Sequence, residues 1–163
     1  MILKESTIKE IKTRMVRYPS RRSAILPALT AAYRQVGHLN NAVYKEISRV
    51  IEIPYVEIAE AATFYTMFPK HEVGKYLIQV CHNISCSLRG ADNMLLYLQE
   101  KLGIKMGETT PDNLFTLISV ECLGGCSAAP MMQINQDYYE DLTREKIDNI
   151  LADLRAKADE EGK

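Results

Sequence analysis

Residues 76–86 read YLIQVCHNISC and residues 115–126 read FTLISVECLGGC. Each begins as a short apolar run with the look of a buried strand, Tyr76–Val80 and Phe115–Val120. Each then reaches a cysteine and a tight loop that carries a second one. The pairs are Cys81-x4-Cys86 and Cys122-x3-Cys126, and together they are all the cysteines of the chain. Between the strands, Ser87–Leu102 has helical periodicity, with Ala91, Leu95, Leu98 and Leu102 on one side. Gly103 and Gly107 flank a loop through Thr109, Thr110 and Pro111. A strand, a crossover helix and a second strand predict a right-handed unit with both strands parallel. Parallel strands end at the same edge of their sheet, which is where open α/β sheets carry their sites. Strand order therefore gives two distant cysteine pairs a physical reason to meet.

Downstream, Met131–Ile134 and Tyr138-Tyr139 read as shorter strands around a turn at Asn135-Gln136-Asp137. Thr143 suits the cap of a last helix, with Leu142 and Ile147 as its hydrophobic staple. Ile147, Ile150, Leu151 and Leu154 form its buried face, and the charged tail Lys157–Lys163 is expected to fray. Upstream, the chain reads as helices. Thr7 and Glu10 have capping-box spacing ahead of Ile8, Ile11 and Met15. Tyr18-Pro19-Ser20 is a break. Ile25, Leu29, Tyr33 and Val36 make a second stripe, closed by Gly37. Asn40 or Asn41 caps a third helix with Val43, Ile47, Val50 and Ile51. Pro54 opens a fourth through Val56, Ala59 and Thr63, ending in Phe64, Tyr65 and Phe68. The expected architecture is α+β: an N-terminal helical bundle over residues 1–70, then a mixed sheet flanked by helices over residues 71–163. Charge divides similarly. Residues 1–70 hold 11 basic and 6 acidic side chains, and residues 71–163 hold 9 and 15.

A chain of 163 residues with 47% apolar and 25% charged residues has enough material for a packed core. Its longest uncharged stretch, Cys122–Gln136, falls short of the roughly 18–20 apolar residues that span a bilayer. The N-terminus lacks the apolar core of a signal peptide. The reading is a soluble intracellular protein without direct membrane insertion, and in a reducing compartment paired cysteines serve more often as metal ligands than as disulfides. The Arg21-Arg22 pair is too small a basic patch to argue for nucleic acid.

Four thiols suit an iron–sulfur cluster or a tetrahedral zinc ion, and the spacing does not choose between them. A thioredoxin-type C-x-x-C is absent, which weakens a thiol-exchange reading. Leu123-Gly124-Gly125 lets backbone N–H groups turn toward sulfur. The Asn83-Ile84-Ser85 loop offers amides and a hydroxyl, while Ile84 and Leu123 limit water access. Glu121 adjoins Cys122. A carboxylate facing the sulfurs would lower a cluster's reduction potential, whereas strand alternation turns it away into solvent. His82 reads as a loop residue, since an all-cysteine set is complete without it. His38 and His71 fall at element ends.

The segment VECLGGCSAAPMMQINQDYYEDLT resembles the second cluster motif of the NuoE-type subunit of respiratory complex I, which is a thioredoxin-like [2Fe-2S] ferredoxin. Cys81-x4-Cys86 and the Ala62-Thr63-Phe64-Tyr65-x-x-Phe68 helix end share the resemblance, which spans residues 20–155. It implies a thioredoxin-like second domain and one [2Fe-2S] cluster held by Cys81, Cys86, Cys122 and Cys126. It implies a multi-subunit NADH:quinone oxidoreductase, cytoplasmic and peripheral to the inner membrane. A NuoF-type flavoprotein partner would carry FMN, NADH and a [4Fe-4S] cluster. Small subunits of NAD-linked hydrogenases and formate dehydrogenases fall in the same family. Zinc-stabilised interaction modules are the reading of another class. The chain has no Gly-x-Gly-x-x-Gly dinucleotide fingerprint, so hydride transfer would belong to the partner. Pro130 stands where thioredoxin-like folds place a cis-proline, although most X–Pro bonds are trans.

Overall fold

The computed structural model describes residues 2–161. Its backbone packs as two units, Met1–Glu72 and Val73–Lys163. The first contains four helices: α1 (Glu5–Met15), α2 (Ile25–Val36), α3 (Asn41–Ile51) and α4 (Tyr55–Phe64). Helical stripes bury Ile11, Leu29, Val43, Ile47, Ile51, Ile58 and Ala62 in one core, and Phe68 joins them from beyond α4. Helix ends follow local chemistry. Gly37 leaves α2 at φ 75°, its N–H bonded to the Tyr33 carbonyl. The Asn40 side chain accepts from the N–H groups of Ala42 and Val43 at 3.0 and 3.2 Å, satisfying donors that α3 cannot. Helix α1 departs from expectation. It starts after Lys4, so Thr7 is an interior buried residue and not its cap. The entry is set instead by Glu46 of α3, whose Oε2 accepts from the Ile2 N–H at 2.7 Å, beside fully buried Leu3.

The second unit runs β1 (Tyr76–Cys81), α5 (Ile84–Leu88), α6 (Ala91–Leu102), β2 (Phe115–Val120), β3 (Met132–Ile134), β4 (Asp137–Tyr139) and α7 (Arg144–Glu161). The sheet order is β2-β1-β3-β4. Strands β1 and β2 are parallel in continuous register from Tyr76↔Phe115 to Cys81↔Val120. Strand β3 is antiparallel to β1, and β4 to β3. The mixed sheet flanked by helices is thus as expected. Ile78, Val80, Phe115, Leu117, Met132 and Ile134 pack with Leu98 of α6 and Ile147, Ile150 and Leu151 of α7. Asn135 closes the β3–β4 turn at φ 54°. Its side chain accepts from the Leu77 N–H at 2.9 Å and donates to the Lys75 carbonyl at 3.0 Å, pinning the start of β1.

Two expectations change here. The single helix over Ser87–Leu102 is two, because Gly90 takes φ 89° between α5 and α6. A left-handed residue ends one helix and lets the next start in a new direction. The C-terminal tail is helical through Glu161, whose carboxylate lies 2.7 Å from Lys75 Nζ. Gly162 and Lys163, the rest of the expected frayed tail, lie outside the described residues. Thr143 does cap α7, accepting the Lys146 N–H at 3.1 Å.

Gly74 enters β1 under the chain before β2. A Cβ there would lie 2.9 Å from the Leu114 carbonyl carbon and 3.0 Å from two backbone oxygens, while the Gly74 N–H donates to buried Thr116 Oγ1 at 2.6 Å. Backbone cannot yield as a flexible side chain can. Gly74→Ala is expected to cost about 1–3 kcal/mol of unfolding free energy by chemical denaturation. A stability equal to the parent's would contradict so close an approach.

Candidate metal centre

The site is built at the C-terminal ends of β1 and β2. Cys81 is the last residue of β1, and its register partner Val120 is two positions before Cys122. The Cys81 N–H donates to the Met131 carbonyl at 3.2 Å and the His82 N–H to the Val120 carbonyl at 3.1 Å, so three chain segments are tied together at the mouth of the site. Asn83 leads into α5, which places Cys86 at its midpoint. Cys126 opens a single 3-10 turn, Cys126–Ala128. The Ala129–Pro130 peptide is cis, a choice that was not legible in the sequence.

Burial is asymmetric. Cys81 and Cys86 are buried, packed with Ala91, Ala129, Met131 and partly buried Leu123 in a small apolar cluster of their own. Cys122 and Cys126 are exposed. Their sulfurs stand 3.5 Å apart, well beyond the roughly 2.05 Å of a disulfide. Two thiolates about 2.3 Å from a tetrahedral metal would stand about 3.8 Å apart, so the separation suits a shared metal. Among the described residues, no three Cys, His, Asp or Glu side chains already gather around one point as a single-ion site.

The thiols nevertheless sense one another across the pairs. Burial first, then the neighbouring Cys81, push the Cys86 thiol up to about 11, with Cys126 adding to the rise and the Met131 N–H opposing it. Cys122 and then burial raise Cys126. The Ser85 hydroxyl opposes that rise, and Cys81 adds to it. Burial at Cys86 and the neighbouring Cys122 at Cys126 disfavour the thiolate forms of these two residues, and a bound cation would favour them. The chemistry of the donor set therefore fits a metal centre with four cysteine ligands.

Backbone and hydroxyl donors supply the surroundings that sequence anticipated in the two loops. The Gly124 N–H lies 3.4 Å from Cys122 Sγ, in a turn where Gly124 has φ 88°. Gly125 leaves room for the Met131 side chain. A Cβ there would lie 2.6 Å from Met131 Sδ and 3.3 Å from Glu140 Oε1. Met131 is the residue that sequence reasoning passed over. It read as the start of a strand, yet its amide serves Cys86 and its side chain floors the Gly-Gly loop. Only its position just after Pro130 hinted at this. Leu123 is partly buried against the site, as expected of a water barrier, whereas Ile84 is 72% exposed and shields nothing. Glu121 turns away from the sulfurs. Its carboxylate accepts from Asn83 Nδ2 at 3.0 Å and lies 3.7 Å from His82 Nε2, latching the two cysteine loops together at the surface. His82 is thus a loop residue facing Glu121.

The burial asymmetry gives a direct test. In the metal-free protein, iodoacetamide should modify Cys122 and Cys126 faster than Cys81 and Cys86, since thiolate character and access set the rate. Peptide mass spectrometry over a time course reads the order, and equal rates at all four would contradict it.

The chain is similar to known proteins along most of its length. Residues 11–155 match the model of the thioredoxin-like [2Fe-2S] ferredoxin family. A Rhizobium meliloti (strain 1021) protein, named as an E subunit of NADH-quinone oxidoreductase, is 45% identical over 148 residues, covering 91% of this chain and 88% of that one. The E subunit of the NADH-quinone oxidoreductase of Rickettsia bellii (strain RML369-C) is 50% identical over 142 residues, 85% of each. Among solved structures, an NAD+-reducing [NiFe]-hydrogenase in the air-oxidized state has a TM-score of 0.70 at 25% identity, over 82% of this chain. The match occupies only 23% of that longer hydrogenase chain. Two strand-end cysteine loops on a mixed sheet, and a family match that spans both, make this chain a member of the thioredoxin-like [2Fe-2S] ferredoxin family.

Proposed function

We propose that this chain is an electron-transfer subunit of an NADH:quinone oxidoreductase, with one [2Fe-2S] cluster held by Cys81, Cys86, Cys122 and Cys126. The carrying observation is the convergence of two cysteine pairs at one edge of the sheet, one pair buried and one exposed. When bound, such a cluster supplies one-electron storage and release. The residues of this chain do the rest. Cys81 and Cys86 anchor the centre in the apolar cluster with Ala129 and Met131, where water is excluded. Cys122 and Cys126 leave its other side at the surface, open to a partner. The amides of Gly124 and Met131 and the Ser85 hydroxyl offset negative charge on sulfur, which favours an added electron.

The electron's source is proposed to be the FMN of a NuoF-type flavoprotein subunit that also binds NADH and a [4Fe-4S] cluster. The absence of a dinucleotide fingerprint from this sequence supports that division. The names of the relatives support the complex. The hydrogenase likeness supports a second reading, the equivalent small subunit of an NAD-linked hydrogenase or formate dehydrogenase. No helix among the described residues is long and apolar enough to cross a membrane. A cytoplasmic position, peripheral to the inner membrane through the complex, follows from the proposed assembly.

Anaerobic purification tests the reading. The protein should be brown, with two irons and two sulfides per chain, and it should accept one electron on dithionite reduction. Cys→Ser at Cys81 or Cys126 should abolish or strongly shift the visible absorption. A colourless protein with one zinc per chain would replace this reading with that of a zinc-stabilised module. Co-purification with a flavoprotein identifies the complex served.

A further inference from the structure

Cys122 and Cys126 can carry a second chemistry besides ligation. Their sulfurs stand 3.5 Å apart, and both residues are exposed. A disulfide of roughly 2.05 Å asks them to approach by about 1.5 Å more. The chain between them permits that. Strand β2 ends at Val120, and the next element is the 3-10 turn that Cys126 opens. Leu123, Gly124 and Gly125 thus belong to no helix or strand. Gly124 already bends the loop back at φ 88°, with its N–H 3.4 Å from Cys122 Sγ. Side-chain rotation and a glycine loop can supply the remaining shift.

The inner pair is shielded. Cys81 and Cys86 are neighbours too, but each is only 1% exposed. Cys81 is fixed at the end of β1 by its N–H bond to the Met131 carbonyl, and Cys86 by its place in α5. Thiol exchange needs access to the attacking sulfur. A dissolved disulfide therefore reaches the outer pair and not the inner one. The spacing is C-x3-C, without the C-x-x-C of thiol-exchange catalysts. The pair accordingly acts on its own oxidation state and not on that of a substrate.

We infer that, in the metal-free protein, Cys122 and Cys126 are a site of reversible disulfide formation, with a low-molecular-weight disulfide as co-reactant. One thiolate of the pair attacks a sulfur of that reagent. The reagent's S–S bond breaks, a mixed disulfide forms, and one small thiolate leaves. The second cysteine sulfur then attacks the first. The Cys122–Cys126 bond forms, the mixed disulfide breaks, and the second small thiolate leaves. The two cysteines lose two electrons and two protons, and the reagent gains them as two thiols. With the sulfurs 3.5 Å apart the second step is intramolecular, so the mixed disulfide does not accumulate. Closure withdraws both exposed donors from a metal, and building the centre then requires a thiol reductant. That consequence rests on the function proposed above; the exchange itself does not.

The test incubates the full-length metal-free chain, reduced and then freed of reductant under anaerobic conditions, with glutathione disulfide. No Lys or Arg lies within either pair, and several lie between the pairs. Each pair thus falls on its own tryptic peptide, and peptide masses read the outcome after free thiols are blocked in denaturant. The Cys122–Cys126 peptide should lose two hydrogens at least about 10-fold faster than the Cys81–Cys86 peptide, and dithiothreitol should restore them. Cys126→Ser should instead hold glutathione stably on Cys122. Free thiols at both outer cysteines, retained glutathione in the parent, a disulfide joining the two peptides, or equal oxidation of the inner pair would each overturn the inference. Cobalt(II), a coloured probe of thiolate ligation, should give at least about 10-fold less visible absorption with the oxidised chain than with the reduced one. Equal absorption from both, or from neither, would overturn the withdrawal of donors. The exchange arm contains no iron, so a chain that closes the disulfide yet purifies colourless would fail the proposed function alone.

Discussion

The site depends on one set of hydrogen bonds, the parallel pairing of β1 with β2. Six consecutive register pairs end at Cys81↔Val120, so both cysteine loops must leave the same sheet edge. A slip of one residue would invert every side chain of a strand relative to the core. Because β1 is buried on both faces, the slip would exchange Ile78 and Val80 for Leu77 and polar Gln79 in the core. The hydrophobic core therefore guards the register, and the register positions the thiols. Gly74 and Asn135 guard the other end of β1, one by admitting close backbone and the other by satisfying the strand's last free groups.

At the site, electrostatics and burial pull in opposite directions. Burial in an apolar cluster disfavours the thiolate form of Cys86, and the neighbouring Cys122 disfavours that of Cys126. Metal binding needs those forms, so its affinity carries the cost of ionising them. Donors from Gly124, Met131 and Ser85 lessen that cost without adding a charged side chain. Glu121, the nearest carboxylate in sequence, is held by Asn83 in the solvent. Glu121 is thus occupied by the Asn83 side chain rather than by the sulfurs.

Much of this was legible from periodicity. The four N-terminal helices, both long strands, the hairpin and the Thr143 cap follow from local pattern and capping chemistry. The misses have two causes. Gly90 sits inside an apolar stripe that reads as one helix, yet the chain turns there at positive φ. Thr7 has capping-box spacing, yet the Glu46 carboxylate reaches the amides of Ile2 and Leu3 from a helix more than forty residues away. The tail was expected to fray on its charge, but Lys75, just before β1, gives Glu161 a partner. The Glu46 and Lys75 interactions are long-range and have no local signature, whereas Gly90 turns the chain through its own backbone conformation.

By itself the sequence determined the candidate donor set: four thiols in two close pairs, each placed just beyond an apolar strand, with glycines where amides can approach sulfur. Residue type and spacing are local, so they can be read locally. The tertiary structure decided the rest. It made one pair buried and the other exposed, chose the cis form of Ala129–Pro130, and set the Met131 amide at Cys86. It also turned Phe64 outward while Phe68 went into the core. These choices depend on which surfaces are left after the two cores are filled, and that is a property of the packed chain as a whole.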